Sequence, residues 1–222
     1  LARTLAGCIF PVGLMMIVFV GGELFTGDCM MSMAWMQRKI HFADMLRTLV
    51  LVYVSNFVGA ALIAFLVAHS GQYDYSFGAL GAYTIKVAYG KVHLSFANAL
   101  VSGILCNILV CVAVLMAAAA KDIAGKVLAI FFPILAFVVS GFEHCVANMY
   151  YIPAGIFASK NAAYAAKAFE LYNIDSTQLS SLNWGSFAIS NLIPVTIGNI
   201  IGGALLVGGA CFYLHGKALH ES

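Results

Sequence analysis

Two stretches of this chain, residues 5–36 and 127–158, are apolar for about 32 residues each and interrupted near the middle by polar side chains. As one straight helix, such a stretch would be about 48 Å long. The hydrocarbon core of a bilayer is only about 30 Å thick, and tilt absorbs just part of the excess. The first interruption reads Gly21-Gly22-Glu23-Leu24-Phe25-Thr26-Gly27-Asp28, the second Ser140-Gly141-Phe142-Glu143-His144-Cys145. Glycine supplies backbone freedom, and the acids and the imidazole would be expensive facing lipid. A helix broken at membrane depth is tolerated only where protein buries it or where it lines a watery cavity. Two broken helices therefore predict a shared interior site.

The rest of the sequence agrees that the solvent is lipid. Charged residues make up only 9% of the chain and hydrophobic ones 63%, where a soluble domain carries about 25% charged residues. Three more apolar runs, 48–68, 97–120 and 186–214, have Leu, Ala, Val, Ile and Phe on every face. A barrel strand would instead alternate over about 10 residues, so the fold class is an all-α membrane protein. With 11 Lys+Arg against 9 Asp+Glu, no basic face is available for a nucleic acid. The six cysteines show no CxxC spacing and read as small packing residues, with no metal or cofactor expected. Residues 1–22 have the outline of a signal peptide. The stretch runs on to Trp35, however, and is read as a membrane segment whose upstream sequence is absent.

An echo follows each broken helix. Asn56-Phe57-Val58-Gly59-Ala60-Ala61-Leu62 resembles Asn199-Ile200-Ile201-Gly202-Gly203-Ala204-Leu205. An odd number of helices separates the copies, so successive crossings would leave them inverted, with a site near the midplane between the broken helices. The expectation is one transmembrane channel domain over 1–222, with an incomplete repeat at 1–68 and a second at 97–214. Its design would be three plus three helices, five of them in this chain, the sixth belonging before residue 1. Alternation places Arg38, Lys39, Arg47, Lys121, Lys126 and Lys217 on one side, and Lys86, Lys91, Lys160 and Lys167 on the other, with Arg3 at its edge. The positive-inside rule then makes the first side, with the C-terminus, cytoplasmic.

Three segments carry a family resemblance: Gly22-Glu23-Leu24-Phe25-Thr26-Gly27, Ser140 to His144 continuing through Ala147-Asn148-Met149, and Asn191-Leu192-Ile193-Pro194-Val195-Thr196-Ile197-Gly198-Asn199. Together they resemble the formate/nitrite transporter family, over about residues 6–214. The resemblance implies a homopentamer in a cell membrane. Each protomer would have an aquaporin-like bundle of six helices and its own pore for formate, nitrite or hydrosulfide. It also implies roles by matching position. His144, beside Glu143, matches the pore histidine, Thr26 the loop threonine, Lys91 the outer lysine, and Asn107 and Asn199 the asparagines flanking the pore. Phe10, Leu14, Leu24, Phe25, Val110 and Phe137 match the hydrophobic constrictions.

Chemistry weighs each candidate. An unperturbed imidazole titrates near pH 6.5 and can give a proton to a weak-acid anion. A bare anion in an apolar constriction meets a desolvation barrier of many kcal/mol, and the neutral acid avoids most of it. His144 would be either this donor or a fixed hydrogen-bond donor along an anion path. Thr26 would hold His144 or the anion, or else cap its own half-helix. Glu23 and Glu143 are expected behind the pore, holding the loops. Lys91 is either a solvated loop lysine or an attractor of anions. Gly198-x-x-x-Gly202 fits close helix packing, within or between protomers. A water or neutral-solute pore would not need an ionisable group at the midplane. A redox subunit would need more axial ligands than the single histidine of the apolar runs. The protein is therefore expected not to be an enzyme.

Overall fold

The computed structural model describes residues 2–216, with side chains for 3–214, so Lys217 and His220 lie outside the described residues. The described residues are helical throughout, with no strand. The main helices are α1 (Arg3–Val20), α2 (Phe42–Ala68), α3 (Ala79–Val92), α4 (Phe96–Ala119), α5 (Ile123–Ser140), α6 (Cys145–Ser159), α7 (Ala162–Tyr172) and α8 (Trp184–Leu214). Five of them, α1, α2, α4, α5 and α8, are long and apolar enough to cross a membrane.

Both breaks fall where the sequence places them, and they are built alike. α1 ends at Gly21 (φ 78°) and α5 at Gly141 (φ 73°), each in the left-handed region that glycine enters without steric cost. In each, the next N–H closes back on the carbonyl five residues earlier, Gly22 on Ile17 and Phe142 on Phe137. This is the Schellman closure, which satisfies carbonyls a helix end would leave bare. The chain then runs extended through Leu24 into a short turn, Phe25–Asp28. The second break ends at His144, the residue before α6 begins.

Two helices were absent from the sequence reading. Lys86 and Lys91 lie on α3, and Lys167 on α7, rather than on loops. The reason is periodic: α3 buries Ala82, Ile85, Ala88 and Val92, spaced three and four apart, along one stripe. With 14 residues it is about 21 Å long, too short to cross. The helix α8 carries wide five-residue turns over Phe187–Leu192 and Ile201–Val207. The first precedes Pro194, which has no N–H for the carbonyl four residues back.

The chain forms two compact units. The first takes residues 1–54, 100–144 and 195–222 and holds both breaks. Its apolar core joins Leu14, Cys106, Val110, Ile130, Ile134 and Phe137, with Phe10, Leu24 and Phe142 packed against it. Here α8 lies backbone to backbone on α4. A Cβ on Gly198 would fall on the Leu100 carbonyl oxygen, and one on Gly202 on that of Ile104. The small-residue pair therefore packs within one chain. The echoed Gly59 has nothing within 4 Å of such a Cβ, so the repeated motif does not repeat its packing.

The second unit takes residues 55–99 and 145–194. There α3 packs against α6 through small residues, Gly155 lying on Ala88 and the Thr84 carbonyl. Asn148 donates to Asn191 Oδ1 at 2.7 Å, and Asn191 donates to the Lys91 carbonyl at 2.9 Å. The Tyr164 hydroxyl donates to Asp74 at 2.6 Å.

Candidate functional site

The first unit brings the two breaks together side chain to side chain. Thr26 Oγ1 and His144 Nε2 lie 2.9 Å apart and both residues are buried. Thr26 does not cap its own turn, whose N-cap position is Leu24. Its hydroxyl is committed to the imidazole, as donor or acceptor according to the tautomer.

Two asparagines fix the backbones that present this pair. The side-chain amide of Asn107, on α4, donates to the Thr26 carbonyl at 3.1 Å and to the Asn199 carbonyl at 2.7 Å. The side-chain amide of Asn199, on α8, donates to the Glu143 carbonyl at 3.1 Å and to the Gly103 carbonyl at 2.7 Å. Each asparagine thus ties one break to the helix opposite. Both are fully buried, and each has used both amide hydrogens on carbonyl oxygens. They clamp the loops from behind. A carbonyl at a helix break has lost its helical donor, and an orphaned buried carbonyl costs about 1–3 kcal/mol. The Glu143 N–H adds a longer bond to the Ser102 carbonyl, 3.4 Å.

Around the pair the site is apolar. The Phe137 ring lies near-parallel to the His144 ring, centroids 6.1 Å apart, and meets Phe10 edge to face at 5.4 Å. Of the six constriction residues expected from the sequence, Phe10, Leu14, Leu24, Val110 and Phe137 share one cluster. Phe25 is buried elsewhere, its ring edge on Tyr53 at 4.8 Å. The Tyr53 hydroxyl shares a 2.9 Å hydrogen bond with Thr196.

The two acids part company. Glu143 is buried as expected, whereas Glu23 is exposed and lies beside Asp28. Glu23 therefore is not buried behind the site, and its side chain hydrogen-bonds that of Asp28. Lys91 belongs to the second unit, near the C-terminal end of α3, its ammonium 5.7 Å from the centre of the Tyr151 ring. Sequence reading missed Cys111, taken for a packing residue. Its single S–H lies within reach of two acceptors, the Thr26 carbonyl at 3.4 Å and Asn107 Oδ1 at 3.6 Å. The signal was its spacing, one helical turn after Asn107 on the same face.

Comparison with known proteins fits this arrangement. The family model described as formate/nitrite transporter matches residues 1–213. A protein named formate channel FocA from Haemophilus influenzae is 39% identical, over 94% of this chain and 72% of its own length. A probable formate transporter from Methanothermobacter thermautotrophicus is 40% identical, over 96% and 74%. Among solved structures, a pentameric formate channel with formate bound superposes with a TM-score of 0.83 at 33% identity, over 96% of this chain and 83% of that one. An FNT family ion channel follows with a TM-score of 0.77 at 28% identity. With five apolar spans, two matched breaks and a family match over nearly its whole length, this chain is a multi-pass membrane protein of the formate/nitrite transporter family.

Proposed function

We propose that the chain passes formate across the membrane, with His144 giving a proton to the anion inside the apolar constriction. The observation that carries this reading is the buried 2.9 Å contact between Thr26 and His144, set beside Phe137 and Phe10. The formate channels among its relatives support the choice of anion. Nitrite and hydrosulfide are small monovalent acceptors that the same path would admit.

The steps follow from the residues. A monovalent anion entering the apolar cluster loses hydration it cannot replace there. An imidazolium held by Thr26 first attracts it and then transfers its proton, and formic acid crosses the aromatic rings as a neutral molecule. The Thr26 hydroxyl suits both states of His144, because a hydroxyl accepts from an N–H and donates to a bare ring nitrogen. Lys91 supplies a positive charge that raises the local anion concentration before entry. The assembly is a homopentamer with one pore per protomer, and the C-terminus lies in the cytoplasm. The protomer is a single channel domain of two inverted repeats in an aquaporin-like arrangement, and it has no catalytic activity.

Thr26→Val tests the pair directly. It keeps the shape and removes the hydroxyl, and one hydrogen bond of this kind is worth about 0.5–1.5 kcal/mol. Formate flux into proteoliposomes is expected to fall roughly three- to tenfold, with Thr26→Ser close to the parent. Parental flux in Thr26→Val would remove Thr26 from the pathway.

A further inference from the structure

In the second unit, one imidazole joins the end of α3 to the short helix Ser176–Ser181. His93 caps α3 and is exposed. Its Nδ1 lies 2.8 Å from the Tyr89 carbonyl oxygen, and its Nε2 lies 3.2 Å from Ser181 Oγ. The ring rests on that of Tyr89, with centroids 4.0 Å apart.

The hydrogens decide which form of the ring fits. A carbonyl only accepts, so Nδ1 carries a hydrogen. The Ser181 hydroxyl has one hydrogen, and it goes to the Gln178 carbonyl at 2.6 Å. Ser181 Oγ therefore meets Nε2 as an acceptor, and Nε2 carries a hydrogen too. Only the imidazolium has both. A neutral ring loses one of the two contacts or takes the serine hydrogen away from Gln178.

The surroundings bear on the charge. The C-terminal end of α3 and the face of Tyr89 both favour a cation. Lys91 opposes it from two residues earlier on α3, its ammonium 5.7 Å from the centre of the Tyr151 ring. The short helix carries no ionisable side chain, and Asp175 at its start accepts from the Gln178 N–H. Neither α4, nor α6 with Tyr150 and Tyr151, nor Trp184–Leu192 carries a charged residue. On α7, Lys167 and Glu170 pair with each other at 2.9 Å. His69, at the end of α2, repeats only the local half of the arrangement. Its Nδ1 lies 2.8 Å from the Phe65 carbonyl oxygen and its ring on Phe65, and its Nε2 meets no second helix among the described residues.

We infer that His93 is a proton-set latch, which as the imidazolium ties the end of α3 to the helix Ser176–Ser181 and on losing its proton releases it. The latched helix lies in the connection from α7 to α8, so acid on that side of the membrane orders this connection and alkali loosens it.

The test is hydrogen–deuterium exchange of the full chain in nanodiscs at about pH 5 and about pH 8, between which an imidazole changes charge. Protection of Ser176–Ser181, corrected for intrinsic exchange and read against a peptide from α4, is expected to be roughly three- to tenfold higher at the acid end. His93→Phe keeps a ring on Tyr89 but no N–H, and Ser181→Ala keeps the imidazole but not its acceptor. Both are expected to abolish the difference, whereas His69→Phe is expected to retain it. Equal protection at the two pH values in the parent, or a pH difference that survives in His93→Phe or Ser181→Ala, would overturn the latch.

Discussion

Alanine at Gly202 is expected to cost this protein its fold, whereas alanine at Gly59, the echoed position, leaves it intact. A Cβ at 202 would fall on the Ile104 carbonyl oxygen, with the Ile104 carbonyl carbon and Cα at 3.1 and 3.2 Å. All three are backbone atoms of α4, so no side chain can swing aside, and α8 must move as a body. Overpacking of a core costs about 1–3 kcal/mol where side chains can yield. Here the cost is expected at or above that range, a large fraction of the stability of a typical domain, about 5–15 kcal/mol. A displaced α8 also carries Asn199 away from the Glu143 carbonyl. Gly59 is exposed and open, so alanine there gains about 0.5–1 kcal/mol of helix preference. Thermal unfolding in detergent, with size-exclusion profiles of both variants, reads the contrast. Similar behaviour of the two would contradict the packing described here.

The second large effect is expected at Asn199. Leucine keeps the branched outline of asparagine, with bulkier methyl groups, but donates nothing, so the Glu143 and Gly103 carbonyls each lose a donor in a fully buried place. At about 1–3 kcal/mol for each orphaned group, the loss is roughly 2–6 kcal/mol. Aspartate is expected to be worse, because it also turns a carboxylate toward two carbonyl oxygens. The functional consequence comes through position. Glu143 precedes His144, and a break no longer tied to α8 lets the imidazole wander from Thr26. Formate flux of the fraction that stays folded is expected to fall at least tenfold. Asn107→Leu should behave alike from the other break, since it releases the Thr26 carbonyl. A variant with the parent's melting temperature and flux would show that the asparagines are not clamps.

The breaks were legible in the sequence because polar residues and glycines stand out inside an apolar run of about 32 residues, too long for one crossing. Thr26 and His144 were legible as candidates for the same reason, since each lies in a break. What joins them was not. The asparagine clamps end on backbone carbonyls of residues as far as 96 positions away, and a carbonyl carries no residue identity to read. The helix α3 was overlooked because its buried face, Gly81, Ala82, Ile85, Ala88 and Val92, has only two strongly apolar residues, Ile85 and Val92, among glycine and alanines. Gly59 and Gly202 show the converse failure. Similar local sequence gave no warning that one glycine faces a neighbouring backbone and the other open space. Close approach is a property of the partner helix, which sets the Ile104 backbone against Gly202 and Gly103 against Gly198.

Glu23 and Glu143 teach the same lesson about charge. Both are acids two positions after the left-handed glycine of their break, yet one is exposed and the other buried. The difference lies in what anchors the chain: the amide and carbonyl of Glu143 are tied to α4 and α8.

The measurement that tests the central claim most directly is formate flux into proteoliposomes, parent against His144→Ala, between about pH 5 and 8, where an imidazole changes charge. The proposed mechanism predicts that parental flux depends on pH across this range and that the variant loses that dependence along with most of its flux. A variant that conducts formate like the parent at every pH would reduce His144 to a structural residue and contradict the mechanism.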